Sequence, residues 1–144
     1  MEKFKYNLQK VLDFKIEVEE KKKDDYVKVY KRYISAQEKL NNLLKQKSEF
    51  ENKKDLKSGI DCANYSRYFY YLQKTIDIEN KNVEKIKSEL LKKKDELIKS
   101  TSDRKMIENL KEKAKIEFDF EQNKKEQNQN DDFALFSYVR NERR

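Results

Sequence analysis

Few side chains in this sequence combine the type and the spacing that catalysis requires. The 144 residues include no histidine, the side chain best suited to proton transfer near neutral pH. Adjacent carboxylates occur as Glu19-Glu20 and Asp131-Asp132, but such pairs do not form a pocket by themselves and are typical of a solvated helix face. Cys62 is the one cysteine, and the sequence has no Cys/His cluster and no glycine-rich phosphate loop. We therefore expect no enzymatic activity, no metal and no cofactor.

Aromatic side chains are the best candidates for binding a partner, and the densest group lies in residues 65–72. Phe69 and Leu72 fit a helical seam, so Tyr70 and Tyr71 should point away from a packed neighbour and stay exposed. Exposed tyrosines contribute contact area at low entropic cost and are common in binding surfaces. The alternative is that they lie flat against long Lys and Glu side chains. The candidate partner-binding residues of this aromatic cluster are Tyr65, Tyr68, Tyr70 and Tyr71.

A second candidate surface lies in residues 133–140, after the polar stretch QNQN at 127–130. An apolar segment without an intramolecular neighbour is typical of a surface that a partner covers. Arg140, Arg143 and Arg144 fit a partner whose pore or groove carries acidic groups. The apolar residues of this C-terminal patch are Phe133, Leu135, Phe136 and Val139.

The elements that must position these side chains are long helices, because the sequence contains no proline and a single glycine, Gly59. Glycine reaches the left-handed conformation that ends a helix, so residues 58–61 are predicted to form a tight turn. We predict one all-α domain over residues 1–144, an antiparallel two-helix coiled-coil hairpin. Its parts are helix 1 over about 3–57, the turn 58–61, helix 2 over about 62–125 and a C-terminal partner-binding extension over about 126–144.

Heptad spacing supports this hairpin on both sides of the glycine. The first seam contains Tyr26, Val29, Tyr33, Ala36, Leu40, Leu43 and Phe50, with Phe4, Val11 and Val18 in a shifted phase upstream. The second contains Tyr65, Phe69, Leu72, Ile76, Val83, Ile86, Leu90 and Leu97, interrupted by Glu79 and Lys93, and resumes with Ile107, Leu110, Ala114 and Phe118.

The predicted register places residue i of the first helix opposite roughly 119 − i. It sets the weak helix segment 100–104 against residues 15–19, where the first seam changes phase. It leaves residues after about 116 without a partner, so the second helix should project beyond the first.

Composition excludes other classes of protein. With 35% hydrophobic residues the chain cannot wrap a thick core, yet nine Tyr and eight Phe argue against disorder. The net charge of +7 is mixed along the sequence, which favours a solvated coiled-coil surface over a nucleic-acid-binding arm. No apolar run approaches the roughly 18 residues of a membrane span, and a lone cysteine fits the reducing cytoplasm.

Three segments resemble the FliJ family of flagellar export stalk proteins. Residues 4–13, FKYNLQKVLD, are similar to the start of that family. Residues 108–113, ENLKEK, resemble its late second-helix segment, and Asp131-Asp132-Phe133-Ala134 followed by Arg140 resembles its terminal element. Asp132 replaces the usual Glu there.

The resemblance implies a non-enzymatic stalk of the bacterial flagellar type III protein export complex. Members of the family insert into the hexameric export ATPase, contact the membrane export gate and escort export chaperones. This protein would then lie in the cytoplasm, peripheral to the inner membrane at the flagellar base. The residues expected at the ATPase ring are Phe4, Leu8, Phe133, Leu135, Phe136, Val139 and Arg140; the aromatic cluster is expected to meet the chaperones or the gate. The alternatives are a generic coiled-coil scaffold or spacer and, less favoured, a nucleic-acid-binding helical arm.

Overall fold

A computed structural model describes residues 2–52 and 59–143 and contains two helices. Helix α1 spans Gln9–Asn52 and helix α2 spans Gly59–Glu142, and no strand occurs within the described ranges. The helices are antiparallel, because successively later residues of α1 contact successively earlier residues of α2. The predicted all-α helical hairpin is confirmed.

The connection between the helices differs from the predicted turn at residues 58–61. Gly59 is the first residue of α2 and does not adopt the left-handed conformation, and Ile60 and Asp61 are also helical. Ser58 lies outside the described residues. The glycine therefore starts a helix rather than ending one, and Asp61 supplies a negative charge in the first turn, where the helix dipole favours it.

Helix α1 begins at Gln9 and not near residue 3, and residues 2–6 have no regular secondary structure. Phe4 and Tyr6 are half-buried while Lys3 and Lys5 are exposed, the alternation that an extended chain produces. The extended backbone lets both aromatic rings face the same neighbour, which one turn of helix would not allow. The predicted end of helix 1 near residue 57 lies outside the described residues.

Helix α2 continues to Glu142, well beyond the predicted end near residue 125. Residues 127–130 do not interrupt it. No glycine or proline follows Gly59, and asparagine in a helix interior costs only about 0.7 kcal/mol relative to alanine. The predicted projection of the second helix is present, and residues 123–143 are exposed throughout.

The chain divides into two compact units, Glu19–Ser100 and a second made of Met1–Val18 with Thr101–Arg144. The division falls at the two segments, 15–19 and 100–104, that the sequence marks as irregular. In the unit Glu19–Ser100, the side chains that pack between the helices follow the predicted seams. The buried cluster contains Val29, Ala36, Val83 and Ile86, with Tyr33, Leu40 and Leu90 packed against it.

Ion pairs between the helices fix the register within about two residues of the prediction. The pairs are Lys22–Glu96 at 3.2 Å, Arg32–Glu89 at 3.2 Å and Lys39–Glu79 at 3.0 Å in the unit Glu19–Ser100, and Lys15–Asp103 at 3.9 Å in the other unit. The hydrogen bond and the charge of Lys22, with the charge of Lys93, lower the pKa of Glu96. The stabilisation by this exposed carboxylate is present above its unfolded pKa and is lost as pH falls through the folded value.

The other unit corrects the expectation that residues after about 116 have no partner. The ring of Phe4 packs on Phe118 with 5.4 Å between centroids, and Glu2 contacts Gln122 and Lys125. An extended chain advances about 3.3 Å per residue against 1.5 Å for a helix, so a few N-terminal residues cover more of α2 than a helix would. The seam in this part of α1 uses Leu12, which is buried, rather than the predicted Val11.

Glu79 is one of the two charged side chains that interrupt the second seam, and it is only 8% exposed. Its Oε1 atom forms an ion pair with the Lys39 ammonium, while its buried Oε2 atom has no hydrogen-bond partner among the described residues. An incompletely satisfied buried carboxylate is costly, so a leucine of similar volume should pack better there.

We expect Glu79→Leu to raise the free energy of unfolding by about 1–3 kcal/mol, as measured by urea denaturation. Glu84→Leu, at an exposed position of the same helix, is the matched control and should change stability by less than about 0.5 kcal/mol. A loss of stability in Glu79→Leu would mean that the ion pair with Lys39 contributes more than the burial of the carboxylate costs.

Candidate partner-binding surfaces

The aromatic cluster is built around Phe50 of α1, which packs against two tyrosines of α2. The Phe50 ring stacks on Tyr65 with 4.6 Å between centroids, and Tyr68 meets it edge-on at 4.5 Å. Tyr65 also stacks on Phe69 at 6.1 Å. Tyr65 is half-buried by these contacts, so its ring helps to join the two helices as well as bordering the surface.

Tyr70 and Tyr71 lie on the outside of α2, as the heptad phase predicts, and are 61% and 63% exposed. The Lys74 ammonium lies 5.0 Å from the centroid of the Tyr70 ring, so one face of that ring is partly covered by a lysine. The Tyr71 ring lies 6.5 Å from the Tyr68 ring. The cluster therefore presents two exposed phenol groups beside a pair of packed rings.

The C-terminal patch lies on a part of α2, residues 123–143, that is exposed throughout. Phe133 and Phe136 are each 72% exposed, and a shallow groove between them is also lined by Gln129 and Asp132. With 3.6 residues per turn, Phe136 lies five turns beyond Phe118 on the same helix face. Phe133 and Phe136 thus continue the face that packs against the N-terminal segment earlier in the helix.

Arg140 and Arg143 extend this face beyond the phenylalanines and line a groove with Phe136 and Val139. Arg140 lies in the last turn of α2, where its positive charge suits the helix dipole. Leu135 is also exposed but points about 130° around the helix from the direction midway between Phe133 and Phe136. The predicted apolar residues therefore form two faces: one with Phe133 and Phe136, the other with Leu135.

Phe4 and Leu8 do not join the C-terminal patch. Phe4 packs on Phe118, which precedes Phe133 by a length of helix of about 22 Å. Leu8 is partly exposed just before α1 begins. The predicted set of ATPase-ring residues is therefore divided between the N-terminal segment and the projecting part of α2.

Among the exposed aromatic residues that the sequence analysis did not name as candidates, Phe120 and Tyr138 lie late in α2. They are separated by five helical turns and lie on the same side of α2 as Leu135. Their position in the heptad could have identified them. Both are large aromatic residues outside the seam that contains Phe118, so the sequence predicts that they stay exposed.

The described residues contain no group of three or more His, Cys, Asp or Glu side chains placed to hold a metal ion. Cys62 is exposed and is a free thiol. None of the helices, over the residues that the structure describes, is long and apolar enough to cross a membrane.

Comparison with known proteins identifies the family. Searches of curated proteins and of solved structures returned no match. A sequence model of the family described as "Flagellar FliJ protein" matches residues 4–143, nearly the whole chain. The match includes α1, α2 and both candidate surfaces, and the family is a non-catalytic component of flagellar protein export. The chain belongs to the FliJ family of flagellar export proteins.

Proposed function

We propose that this protein is the coiled-coil stalk of the flagellar export ATPase, with the projecting end of α2 docked in the hexameric ring. The observation that carries the proposal is the exposure of residues 123–143 on a helix whose seam face continues through Phe133 and Phe136. When a pore encloses this helix face, the two exposed phenylalanines are removed from water, which favours docking. Docking would promote assembly and activity of the ring.

The arginines of this segment suit the same location. Arg140 and Arg143 flank the apolar side chains, and the acidic residues Asp131 and Asp132 precede them by about two turns. The end of the segment is therefore basic, and it complements a pore lined with acidic or polar groups. Leu135 and Val139 would contact other parts of the same ring, since a pore surrounds all faces of a helix.

The aromatic cluster is proposed as the contact for export chaperones and the membrane export gate. Tyr70 and Tyr71 combine high exposure with positions on a supported helix face, because the neighbouring Tyr65 and Tyr68 are held by Phe50. A rigid base lowers the entropy that binding must remove. These contacts would place the protein in the cytoplasm, peripheral to the inner membrane.

The docking proposal is tested by hydrogen exchange with and without the export ATPase. In the free protein, backbone amides after residue 125 should exchange much faster than those of residues 72–97, because no packed neighbour protects them. Adding the ATPase should slow exchange across residues 126–143. Slowing confined to residues 19–100 would place the ATPase contact elsewhere and exclude a ring-docked C-terminal end.

The role of the tyrosines is tested by the double substitution Tyr70→Ser and Tyr71→Ser. Because both rings are mostly exposed, the thermal midpoint should change by no more than a few °C, whereas binding to a chaperone or to the export gate should weaken at least about tenfold. Tyr65→Ser is the contrasting variant and should lower the midpoint, since it removes the stack on Phe50. If the double variant melts early and binds normally, its tyrosines are structural.

A generic scaffold or spacer remains the second candidate function. It requires length and a packed hairpin but no free apolar segment. The absence of any exchange protection by the ATPase, combined with normal stability, would favour it.

A further inference from the structure

The two sides of the helix pair in the unit Glu19–Ser100 differ in charge pairing. In an antiparallel coiled coil, the flanks of the two helices meet along two opposite sides of the seam. Three ion pairs between the helices lie on the same side, which we call the ion-pair side: Lys22–Glu96, Arg32–Glu89 and Lys39–Glu79. On that side the bases of α1 are neutralised by acids of α2.

The opposite side, which we call the lysine side, carries unpaired cations. Lys23 of α1 and Lys87 and Lys94 of α2 occupy the heptad flank positions there and are exposed. None of the three makes an ion pair or a hydrogen bond with a described residue. The register places all three in one segment, residues 23–34 of α1 against 87–98 of α2.

The lysine side also carries exposed apolar side chains in the same segment. Val27, Tyr30 and Ile34 follow one another at helical spacing on the outer flank of α1, and each is about two-fifths exposed. Leu91 and Ile98 occupy the corresponding flank of α2 and are more than half exposed. The apolar side chains therefore border the groove between the helices on both sides, over about 17 Å or three helical turns.

We propose that the lysine side binds an acidic amphipathic helix supplied by another protein, which lies as a third helix in this groove. Apolar residues of that helix would pack between Val27, Ile34 and Leu91. Its carboxylates would pair with Lys23, Lys87 and Lys94, the cations that α1 and α2 leave unpaired. The inference concerns a different surface from the aromatic cluster and the C-terminal patch, and it does not depend on the proposed stalk function.

Charge selects this occupant over the two main alternatives. A second copy of the chain related by two-fold symmetry would bring two sets of lysines together, which like-charge repulsion opposes. An anionic membrane would meet Glu20 and Glu84, exposed acids on the outer flanks of the same side. A helix with acidic flanks can lie between these residues and reach the lysines in the groove.

The test uses the full-length protein and a fluorescent synthetic peptide of about 21 residues, or six helical turns, with leucines on one face and glutamates elsewhere. One comparison peptide has the same composition with the leucines scattered around the helix, and another has lysines in place of the glutamates. Fluorescence anisotropy at about 50 mM NaCl should show saturable binding of the acidic amphipathic peptide alone.

Charge reversal at Lys23, Lys87 and Lys94 to Glu should weaken this binding at least about tenfold. The matched control reverses Lys28, Lys81 and Lys85 to Glu, which gives the same net charge on other faces and should change affinity less than about threefold. Ile34→Ser should also weaken binding, whereas Ile78→Ser, at an exposed position away from the lysine side, should not. Circular dichroism verifies that each variant keeps its helical content.

Several results would overturn the proposal. Equal binding of the scattered or the basic peptide would show that the groove selects neither helix amphipathicity nor acidic charge. If both triple lysine variants weaken peptide binding equally, the effect depends on the net charge of the protein and not on the lysine side. Sedimentation of a dimer that Ile34→Ser dissociates, without peptide binding, would make a second copy the occupant. Binding to phosphatidylserine vesicles that the first triple abolishes, without peptide binding, would assign the surface to a membrane.

Discussion

Removal of residues 131–144 should abolish stimulation of the export ATPase while leaving the packed helix pair intact. The deleted segment contains Phe133, Phe136 and Arg140, and all of its described residues are exposed. The contacts of Glu2 with Gln122 and Lys125 remain. The thermal midpoint should therefore change little, and the loss of ATP hydrolysis above the basal rate should exceed about tenfold, because the whole proposed docking face is removed.

A pair of double variants separates the two faces of the C-terminal segment. Phe133→Ser with Phe136→Ser alters the face that continues the seam and should reproduce most of the truncation defect. Leu135→Ser with Tyr138→Ser alters the opposite face, at similar exposure, and is the matched control. If the truncated protein stimulates ATP hydrolysis at the wild-type level, the docking surface lies elsewhere and the proposed stalk mechanism is contradicted. Equal defects in both double variants would show that the ring contacts the whole circumference.

Leu72→Ala should produce the largest loss of stability among single substitutions in the seam. Leu72 is 1% exposed, the lowest value among the buried hydrophobic residues of the described chain. Truncation to alanine removes the transfer free energy of the lost carbons and leaves a cavity, at a typical cost of about 2–5 kcal/mol. A two-helix structure has few other buried side chains to compensate, so urea denaturation should show a clearly lower midpoint.

Leu91→Ala is the matched control, because it makes the same chemical change at a residue that is 54% exposed. It should alter the free energy of unfolding by less than about 0.5 kcal/mol. A small effect of Leu72→Ala, comparable with the control, would mean that the two helices separate or shift at this level in solution.

The hairpin and its register could be predicted because they depend on patterns that both helices carry independently. The apolar heptad positions around Val29 and Val83 can be buried only if the two helices pack together. The pair Lys39–Glu79 lies within about two residues of the predicted register. The ends of the helices could not be predicted as well. Phe4 fits the seven-residue helical spacing with Val11 and Val18, and the contacts of Phe4 with Phe118 and of Tyr6 with Ile107 show instead a non-helical segment.

The exposure of Tyr70 and Tyr71 follows from helical phase, and that of Phe133 and Phe136 from the lack of a first-helix partner at that level, so the sequence was sufficient to predict this exposure. The packing of Tyr65 and Tyr68 on Phe50 depends on an aromatic residue of the other helix, and their partly structural role needed the paired structure. The lysine side depends even more on pairing. Neither helix shows it separately, because the absence of counter-ions becomes visible only when the flanks of α1 and α2 are placed together.

The nested order of the contacts between the helices has a consequence for how the chain assembles. Lys47 and Gln73 are 26 residues apart in sequence, whereas Glu2 and Gln122 are 120 apart. Loop-closure entropy makes the longer closure more costly by about 1.4 kcal/mol, so contacts near the connection should form first and later ones should add in order. During synthesis, residues 2–8 must wait until nearly all of α2 has left the ribosome. This segment should therefore be the last to pack during folding and the first to detach during unfolding. It lies next to the exposed end of α2.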